Sequence, residues 1–299
     1  MRLSIVINTL NEEKNLPRVL ASIDGLADEI VVVDMKSDDK TVEIAEKGGA
    51  KVYGHERTNY VEPARNFAIA KTTGEWILIL DADEELTREL KTKIRSLVND
   101  TDYDYFRIPR KNMVFGKWLK HSRWWPDYNI RLFRKGCVVW NEVIHSVPMT
   151  TGVGFDLEEK EAYAIIHNHY ISIEQYVSRL NRYTTQHALL LIKAGYKFDW
   201  RDVLIKPPGE FFSRYFFGKG YKDGLHGLAV CLLQGFSELV LYLKVWEIQD
   251  KFEERQPPLK LVISTMDQVS KDLNYWKSDA LFSERGGIIN RIKRKLKLP

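Results

Sequence analysis

The sequence has little cysteine and no obvious targeting segment. Its 299 residues include two cysteines, Cys137 and Cys231, whose spacing fits neither a disulfide framework nor a metal cluster. A reducing, cytosolic compartment therefore fits the composition. The opening residues MRLSIVINTLNEE have an apolar run too short for a signal peptide, so we expect a first strand there instead.

A long uncharged apolar run and a strong excess of one charge are also missing. The nearest approach to a membrane span is residues 227–246, which Glu238 and Lys244 interrupt, so we predict no clear transmembrane helix. The net charge of +4 is too mild to argue for nucleic acid as a partner. A hydrophobic content of 44% is enough for one large or two smaller domains with a core.

The sequence does contain a regular alternation of strands and helices in its first part. The strands are continuous β-rich runs without alternation, which is typical of parallel strands covered on both faces. The sequence therefore predicts a doubly wound α/β unit with a mostly parallel sheet. The predicted strands are 3–9, 29–34, 50–55 and 75–81, and the predicted helices are 12–23, 39–49 and 61–74.

Beyond residue 100 the pattern changes. Residues 127–136 and 138–147 resemble two strands of an antiparallel hairpin. From about residue 172 the chain becomes helical, with a first helix at 171–195 and then a loop at Pro207 and Pro208. The expected domains are residues 1–170 and residues 171–299.

Polar and acidic residues follow the predicted strands, where doubly wound sheets bind ligands. Asp81 and Asp83 come directly after the fourth strand, and two carboxylates so close together need a cation or a basic partner. Such a pair suits Mg²⁺ or Mn²⁺, which keeps coordination sites for phosphate oxygens. Helix capping is the alternative for Asp38, which precedes a helix. The residues after the first two strands are Thr9, Asn11, Glu12, Asp34 and Ser37.

Four segments carry a resemblance to a known family: SIVINTLNEEKNLPRVLASI, EIVVVDMKSDDKT, EPARNFAIAKTTGEWILILDADEEL and WWPDYNIRLFRKG. They resemble glycosyltransferase family 2, and more narrowly its bacterial lipopolysaccharide-core glucosyltransferase branch. The resemblance covers residues 1 to about 150. It implies a GT-A fold, a nucleotide-sugar donor such as UDP-glucose, Mg²⁺ or Mn²⁺ as a cofactor, and inversion at the anomeric carbon.

The resemblance also implies roles for individual residues. Asp34 would contact uracil or ribose, and Asp83, more directly than Asp81, would bind the metal. One departure is Lys36, which stands where the family commonly has glycine. The implied donor-binding set is Thr9, Asn11, Glu12, Asp34, Ser37, Arg65, Asn66, Asp81, Ala82 and Asp83.

Inverting transfer needs a base that takes the proton of the acceptor hydroxyl. The candidates are Glu142, Asp127 and His145, and the sequence does not separate them. Relatives often carry a His-Glu pair here, whereas this chain has Ser146 after His145. Each candidate has an ordinary alternative, as an exposed carboxylate, a turn residue or a hydrogen-bonded histidine.

An acceptor site is predicted at Trp124, Trp125 and Arg131. The tryptophan faces suit the apolar faces of sugars, although core packing is the alternative. Arg131 would meet the acceptor or the diphosphate, with an exposed charge as the alternative. The motif HNHY at 167–170 fits either a late histidine ligand of the cation or structural histidines.

The C-terminal region carries two segments typical of a membrane surface. Residues 211–221, FFSRYFFGKGY, mix aromatic and basic side chains. Residues 288–299, IINRIKRKLKLP, predict a basic amphipathic helix that docks on anionic lipid. A helical core and a solvated tail are the respective alternatives. We therefore expect peripheral attachment to the inner face of the cytoplasmic membrane, with a glycolipid or oligosaccharide acceptor.

Three other functions are alternatives. A nucleotidylyltransferase would need a glycine-rich phosphate loop after the first strand, and INTLNEEKN contains no glycine. A polyprenyl-phosphate glycosyltransferase would share the same donor motifs. A non-catalytic membrane-bound scaffold would be favoured by loss of the Asp81–Asp83 pair, which is present.

Overall fold

The chain forms two compact units in the computed structural model, which describes residues 1–57, 62–140, 148–253 and 256–298. The first unit comprises Met1–Met113 and Pro126–His169, and the second comprises Val114–Trp125 and Tyr170–Pro299. The segment Val114–Trp125 thus groups with the helical part of the chain.

The strands and helices follow one another in the order that the sequence predicts over the first 81 residues. The strands are β1 (Leu3–Thr9), β2 (Glu29–Asp34), β3 (Lys51–Gly54), β4 (Trp76–Asp81), β5 (Glu84–Glu85), β6 (Tyr105–Val114), β7 (Lys117–Trp118), β8 (Asp127–Arg134), β9 (Val138–Val139), β10 (Met149–Thr150), β11 (Gly154–Asp156) and β12 (Ile165–Tyr170). The helices are α1 (Leu16–Ile23), α2 (Thr41–Lys47), α3 (Glu62–Ala70), α4 (Arg88–Asn99), α5 (Ile173–Lys193), α6 (Trp200–Phe212), α7 (Gly224–Asp250), α8 (Leu259–Arg285) and α9 (Ile288–Leu296).

The sheet of the first unit has the order β3-β2-β1-β4-β8-β6-β12-β5. β3, β2, β1 and β4 run parallel, and β8 is antiparallel to both β4 and β6. Ile5 and Ile7 pack with α1 on one face, whereas Val6 packs with α3 on the other. Both faces are therefore covered, and the predicted GT-A type α/β fold with a helical C-terminal region is confirmed.

The predicted hairpin of 127–136 with 138–147 is wrong for the described residues. β8 lies between β4 and β6, and β9 pairs with β10 instead. The alternation of apolar and basic residues in β8 correctly indicated a strand. Its partners are distant in sequence, so the local pattern could not identify them.

The predicted loop at Pro207 and Pro208 is also wrong, because α6 continues through both prolines. A proline removes a backbone donor but fixes φ near the helical value, so a helix held by tertiary contacts can contain it. α7 supplies such a contact at Gly235. A Cβ on Gly235 would lie 2.8 Å from the Pro207 carbonyl oxygen, so the glycine allows the two helices to approach closely.

The long apolar helix α7 contains the stretch that the sequence identifies as the nearest approach to a membrane span. By length and composition, Gly220–Asp250 is the one stretch in the described residues that could cross a membrane, and a third of its most apolar segment is buried inside the protein. Core helices of soluble proteins share this composition. The predicted basic helix near the C-terminus is present as α9.

Candidate active site

The loops after β1 and β2 interlock around the buried carboxylate of Asp34. The parallel register places Thr9 opposite Asp34, and the Thr9 hydroxyl donates to Asp34 Oδ1 at 3.0 Å. Ser37 donates from Oγ to Oδ1 at 2.5 Å and from its backbone N–H to Oδ2 at 2.8 Å. Three donors thus fix the orientation of this carboxylate.

Asn11 and Glu12 belong to the same pair of loops. Asn11 has a φ of 57°, a left-handed conformation that asparagine tolerates better than most residues. Its backbone N–H donates to Ser37 Oγ at 2.8 Å, and its Oδ1 accepts from the backbone N–H of Asp38 at 2.9 Å. The backbone N–H of Glu12 donates to Thr41 Oγ1 at 2.7 Å. The residues predicted after the first two strands are therefore brought together.

Asp81 ends β4 between two arginines. Arg65 of α3 donates to Asp81 Oδ1 at 2.7 Å, and Arg131 of β8 donates to Oδ2 at 2.5 Å. Burial alone would raise the pKa of Asp81, but the charges of Arg131 and Arg65 hold it well below its ordinary value. The basic partner that the sequence demands for this carboxylate is thus a pair of guanidinium groups.

Arg131 is only 2% exposed, so the alternative of a solvent-exposed charge is wrong. Besides Asp81 it donates to Glu84 Oε1 at 2.6 Å, and Glu84 is fully buried. Burial would lower the pKa of Arg131, but the two carboxylates raise it above its ordinary value. The guanidinium of Arg131 thus binds Asp81 and Glu84. The predicted contact of Arg131 with an acceptor stays a prediction.

Asp83 lies in a different group of side chains, and Ala82 beside it is buried in the core. Asp83 Oδ1 is 3.6 Å from Nε2 of His167. The other ring nitrogen of His167 lies 2.6 Å from Asn112 Oδ1, and His169 Nδ1 lies 3.1 Å from His167 Nε2. Across the described ranges, no three His, Cys, Asp or Glu side chains form a cage that could hold a metal by themselves.

Asp127, a candidate base, is bound by Arg110 of β6. Arg110 donates to Asp127 Oδ2 through Nε at 2.9 Å and Nη2 at 2.7 Å, and Asn112 donates to the same oxygen at 3.0 Å. Burial would raise the pKa of Asp127, but Arg110 and Asn112 lower it below its ordinary value. The other two base candidates, Glu142 and His145, lie outside the described residues.

The neighbouring residues Arg65 and Asn66 contact different parts of the site. Arg65 pairs with Asp81 and lies 5.7 Å from the ring centre of Trp140. Asn66 donates to the carbonyl oxygen of Trp140 at 2.7 Å and accepts from its backbone N–H at 3.0 Å. The Arg-Asn pair therefore holds Trp140, directly before residues 141–147, as well as the end of β4.

The predicted acceptor residues Trp124 and Trp125 belong to the second unit. Trp124 packs against an apolar cluster that includes Leu119 and Tyr176, in agreement with the core-packing alternative. Trp125 meets Trp118 edge to face, with ring centres 5.1 Å apart. The predicted stacking of either tryptophan on a sugar stays a prediction.

Several residues of the site were absent from the predicted set. They share one property, which is that their partners are distant in the sequence. Arg110 and Asn112 are two residues apart in β6, with Lys111 between them, so the strand period places them on one face without naming a partner. The residues in question are Glu84, Arg110, Asn112 and Trp140, whereas His167 belongs to the motif HNHY that the sequence already indicated.

Comparison with known proteins places this geometry in a family. The family model described as glycosyl transferase family 2 matches residues 4–151. An uncharacterized glycosyltransferase of Rickettsia bellii is 30% identical over 282 residues, which are 90% of this chain and 95% of that protein. The lipopolysaccharide core biosynthesis glycosyltransferase LpsC of Rhizobium meliloti is 25% identical, over 79% of this chain and 86% of that protein.

A shorter match is found with the dolichyl-phosphate hexose transferase of Haloferax volcanii. It is 38% identical over 101 residues, which are 33% of this chain and 43% of that protein. The full-length likeness to the Rickettsia bellii protein and the family model agree on the class. With its doubly wound sheet and its polar strand ends, the chain belongs to glycosyl transferase family 2.

Proposed function

We propose that this glycosyltransferase moves a hexose from a nucleoside diphosphate sugar, UDP-glucose in the first instance, to a membrane glycolipid such as the lipopolysaccharide core. One observation carries the proposal. The parallel register aligns the Thr9–Asp34 pair and the arginine-bound Asp81 at one edge of the sheet. This edge is where doubly wound sheets bind nucleotides. The likeness to LpsC supports the acceptor class.

The proposed reaction is a single displacement with inversion. A base takes the proton of the acceptor hydroxyl, and the oxygen forms a bond to the anomeric carbon on the face opposite the diphosphate. The bond between that carbon and the diphosphate oxygen breaks, and the diphosphate leaves with the electron pair. The guanidinium groups of Arg65 and Arg131 offset the charge of Asp81, so the leaving diphosphate would meet less repulsion at the end of β4.

A divalent cation, Mg²⁺ or Mn²⁺, is the proposed cofactor. Asp81 is engaged by two arginines, so we assign the cation to Asp83, with His167 at 3.6 Å as a further ligand candidate. Mg²⁺ in such sites is held by one or two carboxylates together with phosphate oxygens and water, so a three-residue cage is not required. A bound cation would neutralise charge on the departing diphosphate.

Glu142 is the base that we favour. Asp127 accepts three hydrogen bonds from Arg110 and Asn112, and its lowered pKa makes its carboxylate a weak proton acceptor. Asp127 is therefore the weakest of the three candidates. Glu142 and His145 then remain, and a carboxylate matches the acid that the family uses nearby.

Attachment to the membrane surface is supported by the orientation of α9. The helix folds back on α8 after Gly286 and Gly287, which have positive φ. Its basic side faces α8, where Arg294 pairs with Asp279 at 2.9 Å and Lys297 pairs with Asp272 at 2.7 Å. An amphipathic helix normally buries its apolar stripe against the protein, and α9 does the opposite.

The outward face of α9 is apolar. Its large aliphatic residues are Ile288, Ile289, Ile292 and Leu296, which are 77%, 71%, 49% and 60% exposed. Arg291 and Lys295 are exposed on the same helix. An anionic bilayer would cover the apolar face and attract the basic residues, each worth roughly 1 kcal/mol near the surface. We therefore propose peripheral attachment to the cytoplasmic leaflet of the membrane.

A polyprenyl-phosphate acceptor is the second candidate. The likeness to the dolichyl-phosphate hexose transferase favours it, although that match covers a third of this chain. Both acceptors lie at a membrane surface, so α9 does not separate them. An assay that offers UDP-glucose with either lipopolysaccharide core or a polyprenyl phosphate would decide, because the labelled hexose would enter one product.

The proposed nucleotide-sugar donor is tested by thermal shift and donor hydrolysis with UDP, GDP, dTDP and CMP sugars, each with and without Mn²⁺. We expect one UDP-sugar to stabilise the wild type in a metal-dependent manner and Asp83→Ala to lose this effect. Asp156→Ala is the matched control, since Asp156 forms an exposed pair with Arg107. A folded wild type that no nucleotide sugar stabilises would favour the scaffold interpretation.

A further inference from the structure

Asn8, near the end of β1, is a buried amide with no hydrogen-bond partner among the described residues. Its side chain is 7% exposed, and both Oδ1 and Nδ2 lack a partner there. Buried polar groups in folded proteins are almost always hydrogen-bonded, because leaving them unpaired costs stability. A fully unpaired buried amide therefore calls for an explanation.

The position of Asn8 places it at the candidate active site. In the parallel register it lies opposite Val33 on β2 and opposite Asp81 on β4. Side chains two apart on a strand share a face, so Asn8 follows Val6 on the face that packs against α3. The carboxylate of Asp81 meets Arg65 of α3. Asn8 thus lies between the strand ends that carry Asp34 and Asp81.

The other unpaired polar atoms of this unit lie around the same carboxylate. Within the described part of the first unit, the remaining buried side-chain atoms without a partner are Nε of Arg65 and Nε of Arg131. Both arginines bind Asp81 through Nη2. Unpaired donors and one unpaired acceptor therefore gather at a single place, at the end of β4, while the opposite end of the sheet is fully bonded around Glu29.

The chemistry of the amide restricts what it can bind. Oδ1 only accepts and Nδ2 only donates, so a partner that satisfies both must itself donate and accept. A phosphate oxygen only accepts, whereas a ribose or hexose hydroxyl and the imide edge of uracil do both. We propose that Asn8 is a donor-binding residue that contacts the nucleoside or the hexose of the nucleotide sugar, and does not contact its phosphates.

This inference rests on the proposed function, because it assumes a nucleotide-sugar donor at this edge of the sheet. It also makes a prediction about the free protein. A buried amide whose partner is a ligand is unpaired in the ligand-free protein and destabilises it. Replacing Asn8 with an apolar side chain of similar size should therefore stabilise the ligand-free protein. An amide with a structural role would give the opposite result.

The test compares Asn8→Leu with the wild type. Thermal unfolding is measured without ligand, and dissociation constants are measured by calorimetry for UDP and for UDP-glucose, both with Mn²⁺. We expect a higher Tm without ligand and binding at least tenfold weaker. Ser4→Ala is the matched control, since Ser4 lies on the same face of β1 and is fully bonded to Glu29 and Gly74. It should lower the Tm and leave both dissociation constants unchanged.

The two ligands identify the contact. Weaker binding of both ligands would place Asn8 at the UDP portion that they share, and weaker binding of UDP-glucose alone would place it at the hexose. Unchanged binding of both ligands together with a lower Tm would overturn the inference and leave the proposed function intact. A wild type that binds neither ligand would overturn both. Asn8→Ala repeats the binding measurement if the leucine variant does not fold.

Discussion

Arg131 and Asp81 are joined by a hydrogen-bonded ion pair of 2.5 Å between neighbouring strands, and the same nitrogen lies 2.6 Å from the buried Glu84. One guanidinium thus pairs with two acids at the point where β4 ends, and Arg65 and Arg110 provide further positive charge beside them. Burial makes Arg131 part of the structure of the site, because its removal would leave the buried carboxylate of Glu84 without its closest partner.

Replacing Arg131 with methionine should destabilise the first unit strongly. The change leaves the fully buried Glu84 without its closest cation, and loss of one partner of a buried pair costs about 3–5 kcal/mol. Urea unfolding gives the free energy. Arg107→Met is the control, because the exposed pair of Arg107 with Asp156 should contribute no more than about 1 kcal/mol to the free energy of unfolding. Equal losses in the two variants would contradict the structural role of Arg131.

The choice of base predicts unequal kinetic effects. Glu142→Gln should lower kcat by about 10²–10⁴-fold, because removal of a general base costs this much. Asp127→Asn should lower kcat less than about tenfold, because the Asp127 carboxylate is already held by Arg110 and Asn112. Transfer of labelled glucose from UDP-glucose to lipopolysaccharide-core acceptor measures both. An active Glu142→Gln with an inactive, folded Asp127→Asn would reassign the base.

How far the sequence predicts the fold depends on whether a signal is local. The strands β1, β2 and β4 are continuous β-rich runs, and their ends deliver Thr9, Asp34 and Asp81 by the geometry of parallel strands alone. This part of the site follows from pattern and topology. The two prolines of α6 gave a local signal that tertiary packing against Gly235 overrode.

The rest of the site depends on pairings that no local pattern encodes. Arg131 reads as one member of an alternating strand, and its partner Asp81 is 50 residues earlier in the chain. Whether such an arginine faces solvent or carboxylates depends on β8 lying beside β4. The sequence did not single out Asn8 for a related reason. It is a polar residue near the end of an apolar run, and its lack of a hydrogen-bond partner in the described part of the chain is visible only in the structure.

The exposed apolar face of α9 predicts binding to anionic membranes. Ile289→Asp should weaken binding to vesicles that contain phosphatidylglycerol by at least about tenfold, because full burial of an isoleucine is worth about 1.5–3 kcal/mol. Co-sedimentation measures the affinity, and added salt should weaken it further. Val153→Asp, at an exposed valine of the first unit, is the control. Equal binding by both variants would contradict a docking role for α9.

Acid should destabilise the first unit through Glu29. Burial would raise the pKa of Glu29, but hydrogen bonds from Lys51, Thr73 and Ser4 outweigh burial and lower it from 4.5 to about 2. The folded state therefore binds the proton less well than the unfolded state. The stabilisation is complete above pH 4.5 and is lost as the pH falls towards 2, by about 3 kcal/mol in total.

Unfolding free energies between pH 6 and pH 2.5 test this dependence. Glu29→Gln should be less stable than the wild type at pH 6, and its free energy of unfolding should fall less steeply below pH 4.5. Glu43→Gln is the control, because the pair of Glu43 with Lys47 is exposed and screened by solvent, so the change should alter the decline far less than Glu29→Gln does. A Glu29→Gln variant that keeps the full decline would show that other carboxylates cause it.

Two glycines of the helical unit predict opposite effects of the same substitution. A Cβ on Gly227 of α7 would lie 1.9 Å from the backbone oxygen of Gly220, so Gly227→Ala forces the backbone apart and should be strongly destabilising. Gly209 lies inside α6 with no atom within 4 Å of its Cβ position, so Gly209→Ala should stabilise by about 0.5–1 kcal/mol through helix propensity. Thermal unfolding of the two variants measures both signs. A tolerated alanine at Gly227 would contradict the close contact between α7 and the backbone of Gly220.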